Sequence, residues 1–278
     1  MKAEQIIKIM ESHYPLNCQE DWDHCGLQVG NIHTDVNKIM IGLDADLQTL
    51  QETIDAGCQM LITHHPFLFN TLTLDTTTPV GQFIEAAVKN NIVVYSAHTS
   101  LDKISMNRWL MEALGCLNIE DADESNITKK GVLPDTMSMY EFLDYVKKAF
   151  NIPSVNYAGK VKEVSTVGIC GGSGGDLIDE VAPQVDAYVT GDLKYHSGLK
   201  ASDYNILLVD VGHHVEVIMV HKLKELLDVK KDENGDYSAD FERLAPIHPD
   251  LLKTMSGSGS YRTDNIRGFF EEQLKFQD

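Results

Sequence analysis

The feature that most constrains this chain is a series of short apolar runs that scarcely alternate with polar residues. Such runs are typical of parallel strands, which are covered on both faces. Segments with helical spacing separate them, beginning at residues 3–13, where Ile6, Ile7, Ile9 and Met10 form an apolar face. This alternation predicts an α/β fold. The predicted strands are residues 38–43, 59–63, 92–96, 165–170, 187–190 and 206–209, and further helices are predicted at 47–56, 80–90, 140–150, 177–182 and 217–227.

A polar stretch at residues 120–131 separates two halves that carry about three predicted strands each. We therefore predict two α/β lobes with mostly parallel sheets, residues 1–125 and residues 126–250, followed by a tail of residues 251–278. The tail contains a Ser-Gly-Ser-Gly-Ser patch at residues 256–260, which fits either a native loop or an added linker.

Charge and composition argue against several functional classes. The 42 acidic and 23 basic residues give a net charge of −19, which repels phosphate backbones and disfavours nucleic-acid binding. No apolar stretch approaches a membrane span, and residues 1–5 lack the basic start of a signal peptide, so we expect a cytoplasmic protein with no membrane partner. The five cysteines are scattered without a C-x-x-C pair, which disfavours a disulfide framework and a thiolate zinc site.

Metal-binding side chains follow the predicted strands, segment after segment. In open parallel sheets, ligands bind outside the carboxyl ends of the strands, so we expect these side chains to gather at that edge. Paired imidazoles that stand at a strand exit, before a proline that cannot extend the ladder, suit a metal site. The side chains are Asp44 after the first strand, His64 and His65 after the second, His98 and Asp102 after the third, Asp192 and His196 after the fifth, and His213, His214 and Glu216 after the sixth.

The number of donors indicates two metal ions rather than one. Positions 213 and 216 share a face of a helix, so an imidazole and a carboxylate from this segment can reach the same ion. Three imidazoles and two carboxylates are too many for one tetrahedral ion that keeps an open position, but they suit two ions about 3.5–4 Å apart. Nitrogen and oxygen donors without thiolate favour zinc, iron or manganese.

A glycine-rich segment, Gly171-Gly172-Ser173-Gly174-Gly175, follows a strand and precedes a helix. Its backbone amides could form an anion site at the start of the helix. A tight turn from strand to helix is the plainer interpretation. The segment is not a P-loop, because it lacks the Lys-Ser/Thr ending.

Six ordered blocks of residues resemble the dinuclear metal-centre proteins called GTP cyclohydrolase I type 2 homologues, or NIF-three-like proteins. The resemblance runs from about residue 3 to about residue 228. The blocks are Asp21-Trp22-Asp23 with Gly26-Leu27-Gln28-Val29-Gly30, Ile62-Thr63-His64-His65-Pro66, His98-Thr99-Ser100-Leu101-Asp102, Gly171-Gly172-Ser173-Gly174, Thr190-Gly191-Asp192 with His196, and Asp210-Val211-Gly212-His213-His214-Val215-Glu216.

The resemblance implies a NIF-three-like fold and a homohexameric ring with its metals facing an inner cavity. It implies the compact form of the family, because residues 118–164 are too few to hold the domain that longer members insert. It also implies two divalent ions per subunit, with nearby histidines as the catalytic residues. The implied metal ligands are His64, His65, Asp102, His213 and Glu216, and the implied catalytic residues are His98 and His196.

One ligand assignment stays open at the sixth block. Some family members place the last carboxylate four residues after the histidine, where this chain has Val217. Here Glu216 stands at the third position, and either spacing is workable on a helical turn. His214 is an alternative to His213 as the ligand.

These features lead us to expect a metal-dependent hydrolase of a nucleotide or a phosphorylated small molecule, similar to a GTP cyclohydrolase by resemblance. In such an enzyme His98 or His196 would move protons. The alternative is a non-catalytic metal-binding protein, such as a metal carrier or an interaction scaffold. A coordination position open to water, with a cavity beside it, would favour the hydrolase.

Overall fold

The computed structural model describes residues 1–68 and 74–227. Within this part, the chain divides into two compact units. We call residues 1–68, 74–109, 125–127 and 216–227 the first unit, and residues 110–124 and 128–215 the second unit. The units interleave along the chain. The division into domains 1–125 and 126–250 stays a prediction, and the predicted tail, 251–278, lies outside the described residues.

The first unit contains a sheet of four strands in the order β1-β4-β3-β2. Strand β3 pairs in parallel with β2 and with β4, and β1 lies antiparallel to β4. Every residue of β2, β3 and β4 is buried, which explains why these runs carry no polar alternation. The strands are β1, Gly26–Val29; β2, Ile39–Gly42; β3, Met60–Thr63; and β4, Val93–Ser96.

The second unit contains a sheet of six strands in the order β5-β6-β8-β9-β10-β7. Strand β9 pairs in parallel with β8 and with β10. Strands β5, β6 and β7 pair antiparallel with their neighbours. The strands are β5, Leu117–Asp121; β6, Lys129–Ser138; β7, Asn156–Ala158; β8, Glu163–Ile169; β9, Ala187–Thr190; and β10, Leu207–Asp210.

Helices connect the strands and cover the sheets. In the first unit, Leu50 and Phe83 pack with Met40, Leu61 and Val94 in one apolar cluster, which joins two helices to the sheet. The helices are α1, Ala3–His13; α2, Leu47–Asp55; α3, Pro79–Lys89; α4, Thr99–Leu101; α5, Asn107–Ala113; α6, Met139–Ala149; α7, Ile178–Val181; α8, Tyr195–Tyr204; and α9, Ile218–Leu227.

Local sequence signals account for where these helices begin. The side chain of Asp46 accepts a hydrogen bond from Thr49 N (2.7 Å) at the start of α2. Thr78 caps α3, and Pro79 follows at its first position. Ser138 and Glu141 form a capping box at the start of α6.

The α/β fold is confirmed, and each of the six predicted strands is present. These six strands form two parallel trios, and the four remaining strands (β1, β5, β6 and β7) add antiparallel pairs, so the sheets are mixed rather than mostly parallel. Sequence patterning missed these strands because exposed residues interrupt their apolar positions.

Most of the predicted helices are confirmed within a residue or two. The helix predicted at residues 177–182 is shorter than expected. It consists of the single turn α7 between two 3₁₀ turns, Gly175–Leu177 and Ala182–Gln184. Pro183 lies in the second of these turns, where its ring stops the helical ladder. Within the described residues, no helix combines the length and the hydropathy needed to cross a bilayer.

Candidate metal centre

The site in the first unit is built at the carboxyl ends of β2, β3 and β4. His64 and His65 directly follow β3, Asp44 lies two residues after β2, and His98 lies two residues after β4. Because these strands are parallel neighbours, the residues that follow them emerge at one edge of the sheet. Asp102 comes four residues after His98, at the start of a π-helical turn, Asp102–Met106.

Backbone hydrogen bonds fix the strand exits relative to one another. His64 N and His65 N both donate to Leu43 O, at 3.2 and 3.0 Å. Ala97 N donates to Thr63 O at 2.9 Å, which ties the exit of β4 to that of β3. Hydrogen bonds to the exits of both neighbouring strands, β2 and β4, therefore fix the strand end that carries the two histidines.

His64 is completely buried, and its ring orientation is defined by one hydrogen bond. Its Nδ1 lies 2.8 Å from Ala97 O. Because a carbonyl oxygen only accepts, Nδ1 carries a proton, and in the neutral ring Nε2 presents its lone pair. Nε2 lies 3.4 Å from Asp102 Oδ1 and 3.7 Å from Glu216 Oε2. Nε2 thus faces two carboxylate oxygens and can serve as a ligand atom when the ring is neutral.

This arrangement leaves two buried polar atoms unsatisfied. Among the described residues, neither His64 Nε2 nor Asp102 Oδ1 has a hydrogen-bond partner. Unpaired buried polar atoms are rare, because each loses the hydrogen bonds that water would give it. Burial and the nearby Glu216 charge raise the pKa of Asp102, against the effect of His64. A cation between these donors would satisfy both atoms, so the residues present fit a metal ion.

His65 lies between two carboxylates. Its Nδ1 is 2.7 Å from Asp44 Oδ1, and its Nε2 is 3.2 Å from Glu216 Oε2. Burial lowers the pKa of His65, but the hydrogen bonds and charges of Asp44 and Glu216 outweigh burial and raise this pKa to about 9. The two carboxylates therefore stabilise the protonated, positively charged form of the His65 ring.

His98 stands beside the other two imidazoles. Its ring centroid lies 5.1 Å from that of His64 and 5.6 Å from that of His65. Its Nδ1 is 2.9 Å from Asp23 Oδ1. The exposed ring of Trp22 packs edge-on against His98 at a centroid distance of 5.8 Å.

Within the first unit, the structure brings together side chains that could hold a metal ion. One group comprises His64, His65 and His98, and another comprises His64, Asp102 and Glu216, with ligand atoms within 4.8 Å of one another in each group. His64 belongs to both groups. Together the two groups contain four of the five predicted ligands and one of the two predicted catalytic residues, His98. The four ligands are His64, His65, Asp102 and Glu216.

The other predicted site residues lie in the second unit. His213 begins a 3₁₀ turn, His213–Val217, on which Glu216 stands three positions later, and residues three apart on such a turn share one face. His213 Nδ1 lies 2.6 Å from Asp192 Oδ2.

Burial and the neighbouring His213 lower the pKa of His214 to about 4. His196 is exposed at the start of α8, beside Tyr195. Whether His213 or His214 is the ligand, and whether His196 is catalytic, stay predictions.

The glycine-rich segment of the second unit makes internal backbone contacts. Gly191 N donates to Gly172 O at 2.8 Å, and Gly174 N donates to Thr190 Oγ1 at 2.9 Å. Gly172 adopts a positive φ of 62°, which favours glycine. These contacts support the interpretation as a tight turn.

Sequence reasoning missed the groups that orient the imidazoles. The sequence pattern places Asp44 at a strand end without indicating its role, and it places Asp23 only within a motif. Both hold a histidine through Nδ1, as does the carbonyl of Ala97. The available signals in the sequence were two acids: Asp23, beside Trp22, and Asp44, just after β2. A backbone carbonyl such as that of Ala97 gives no signal in the sequence.

Comparison with known proteins identifies the family. Residues 1–244 match the family described as Duf34/NIF3 (NGG1p interacting factor 3). The chain belongs to this family. A Clostridium acetobutylicum protein named "GTP cyclohydrolase 1 type 2 homolog" is 34% identical over 227 residues, which cover 77% of this chain and 84% of the relative. A Methanocaldococcus jannaschii protein of the same name is 31% identical over 239 residues, covering 84% and 97%.

Solved structures confirm the fold of this Duf34/NIF3 chain. Reduced HcgD from Methanocaldococcus jannaschii is 30% identical, with a TM-score of 0.74, over 82% of this chain and 93% of HcgD. A Staphylococcus aureus hypothetical protein is 26% identical, with a TM-score of 0.75, over 82% and 91%. The predicted NIF-three-like fold is therefore confirmed.

This Duf34/NIF3 chain lacks residues that some of its relatives contain. A Staphylococcus epidermidis relative aligns over 342 positions, more than the 278 residues of this chain, although it covers 82% of the chain at 25% identity. That relative therefore has additional residues within the aligned region. This agrees with the predicted compact form.

Proposed function

We propose that this protein binds two divalent metal ions and uses them to hydrolyse a nucleotide or a phosphorylated small molecule. The observation that carries the proposal is the buried pair of atoms, His64 Nε2 and Asp102 Oδ1, which lie 3.4 Å apart and have no hydrogen-bond partner in residues 1–68 and 74–227. Buried atoms without partners need an explanation, and a cation held by an imidazole nitrogen and a carboxylate oxygen supplies one.

The ions would be zinc, iron or manganese, because the donors are imidazole nitrogens and carboxylate oxygens without thiolate. The described groups supply His64, His65, Asp102 and Glu216, and the fifth proposed ligand is His213 on the same turn as Glu216. When bound, the two divalent ions would act as Lewis acids and would lower the pKa of bound water toward neutral pH.

Residues beside the donors would handle protons and substrate. The ring of His98, held through Nδ1 by Asp23, would move a proton at Nε2. Trp22 is 61% exposed next to His98, so its ring offers a surface on which a substrate base could stack. His196 is a second proposed proton-transfer residue. These contacts favour a substrate with an aromatic base over a simple phosphoester.

The names of the relatives suggest which substrate to test first. Several relatives align with this chain over most of their own length and carry the name "GTP cyclohydrolase 1 type 2 homolog". We therefore place GTP first among the candidate substrates, followed by other nucleotides and by phosphoesters. We also propose a homohexamer with a small-molecule substrate and no nucleic-acid partner, which the net charge of −19 supports.

The experiment compares wild-type protein with the double variant His64→Ala/His65→Ala in a substrate screen supplemented with zinc, iron(II) or manganese. We expect metal-dependent turnover by the wild type and none by the double variant. The matched control is His13→Ala/His33→Ala, which removes two exposed imidazoles of the same unit and should leave turnover unchanged.

Two outcomes would contradict the proposal in different ways. Equal turnover by wild type and His64→Ala/His65→Ala would remove the metal site from the reaction. Stoichiometric metal binding without turnover of any tested compound would favour the alternative, a metal carrier or an interaction scaffold. The burial of His64 and Glu216 is compatible with that alternative, since a carrier also shields its metal.

A further inference from the structure

Asp23 has an unusual number of hydrogen bonds for one carboxylate. The side chain is fully buried, and each oxygen accepts more than one bond. Oδ1 accepts from His98 Nδ1 (2.9 Å) and from His24 N (2.7 Å). Oδ2 accepts from Thr99 N (3.0 Å), Thr99 Oγ1 (2.5 Å) and Cys25 Sγ (3.1 Å). A buried carboxylate with this many donors is held in one orientation.

These donors also make Asp23 an anion. Burial alone would raise the pKa of Asp23, but the hydrogen bonds and charge of His98, with the bonds of Thr99 and Cys25, hold this pKa well below its usual range. A carboxylate anion can only accept hydrogen bonds. The proton on the His98 ring must therefore face Asp23 from Nδ1.

The partners of Asp23 connect two segments of the first unit. Cys25 lies just before β1, and Thr99 begins α4, directly after His98. The same segments meet again where Glu20 N donates to Thr99 Oγ1 (2.9 Å) and His98 N donates to Cys25 Sγ (3.3 Å). These bonds hold Asp23 in place independently of its bond to the His98 ring. Asp23 can therefore set the orientation of that ring.

We propose that Asp23 is a positioning residue, which fixes His98 in the Nδ1-protonated tautomer and directs its Nε2 toward the reacting groups at the metal centre. The role of His98 in proton transfer rests on the proposed function, whereas the tautomer does not. Carboxylate–histidine pairs of this kind elsewhere hold the imidazole in the tautomer that the reaction needs.

The test uses the full chain loaded with zinc, which is diamagnetic, and labelled with ¹⁵N-histidine. Two-bond ¹H–¹⁵N correlation spectra distinguish protonated from unprotonated ring nitrogens, and comparison with His98→Gln assigns the His98 signals. We expect the Nδ1-protonated tautomer in the wild type. In Asp23→Asn, whose amide can donate to Nδ1, we expect that preference to be lost while the zinc content stays the same.

A matched control separates positioning from a merely structural effect. Asp46→Asn makes the same substitution at the cap of α2, where Asn also accepts the bond from Thr49 N, and leaves every bond of Asp23 intact. We expect the tautomer of His98 and the turnover to stay as in the wild type. In Asp23→Asn, turnover should fall by roughly 10²–10⁴-fold, which is the range that a general acid–base group contributes.

The outcomes distinguish this proposal from the proposed function. An Nε2-protonated His98 in the wild type, or an unchanged tautomer in Asp23→Asn, would overturn the positioning role whether or not a substrate is found. The wild-type spectrum decides even if Asp23→Asn does not fold. Absence of turnover in the wild type would count against the hydrolase, while the spectra would still test Asp23. Full turnover by Asp23→Asn with inactive His98→Gln would also overturn it.

Discussion

The two units use the same arrangement of three parallel strands for different purposes. In the first unit, the residues that follow β2, β3 and β4 are side-chain donors, with unsatisfied atoms on His64 and Asp102. In the second unit, glycines follow β8, β9 and β10 and make close backbone contacts, such as that of Gly172 with Gly191. The parallel trio makes an edge, and the residues after each strand decide what that edge can bind.

The glycines of the second unit are required by this contact. A Cβ atom added at Gly191 would lie 2.7 Å from Gly172 O and 2.9 Å from His213 N. An ion pair at this edge joins His213 to Asp192, whose positive φ of 53° is a conformation that Asp adopts more readily than most residues. At the second edge a carboxylate positions the His213 imidazole, whereas the first edge presents a cluster of imidazoles and carboxylates.

The largest effect should come from removing a donor of the first edge. In Asp102→Ala, we expect metal affinity to fall by more than about 100-fold, since loss of a ligand should exceed the 10–100-fold cost of losing an outer-shell partner. Equilibrium dialysis followed by elemental analysis measures it. The control Asp203→Ala removes an exposed acid of the second unit and should bind metal normally. Normal affinity in Asp102→Ala would refute the assignment of this edge.

Two carboxylates that orient imidazoles sharpen the comparison. Asp44→Asn weakens the hold on His65, and Asp192→Asn weakens the hold on His213. We expect each change to lower metal affinity by about 10–100-fold. Asp46→Asn is a control from the same loop as Asp44, because Asn also caps a helix well. An effect of Asp44→Asn alone would restrict metal binding to the first edge, and no effect of either would refute both orienting roles.

The packing of the second edge predicts a change in stability rather than in chemistry. Gly191→Ala should lower the free energy of unfolding by about 1–3 kcal/mol, because the new methyl group overlaps backbone atoms that cannot easily move. Urea denaturation followed by circular dichroism measures the change. An unchanged unfolding midpoint would show that this edge is looser than the contacts indicate.

The smallest effects should come from helix caps in both units. Thr78→Ala in the first unit and Ser138→Ala in the second should each cost about 1 kcal/mol of stability, because each removes a side-chain acceptor from a helix N-terminus. The metal content should stay at the wild-type level in both. Metal loss on removal of either cap would mean that the site depends on the whole scaffold rather than on its strand ends.

The sequence predicted the parts of the fold that follow from local pattern. Continuous apolar runs identified the parallel strands, and Pro66 marked where His64 and His65 leave the sheet. Antiparallel strands such as β6 were missed, because β6 carries exposed residues and its pairing with β5 and β8 depends on residues distant in the chain.

For the site, the residue types were predictable but their pairing was not. The positions of His64, His65 and Asp102 after strands predicted them as ligands. The structure places His64 Nε2 3.4 Å from Asp102 Oδ1. The partners of the rings, including Ala97 O and Asp23, depend on how loops meet in three dimensions. Nothing in the spacing of Asp23 and His98, which are 75 positions apart, could indicate their contact.

The most direct test of the metal centre is anomalous X-ray diffraction from crystals of metal-loaded protein, recorded on both sides of the absorption edge of the metal. We predict two anomalous peaks about 3.5–4 Å apart, one of them coordinated by His64 Nε2 and Asp102 Oδ1. The absence of any anomalous peak within coordination distance of these two atoms would contradict the account.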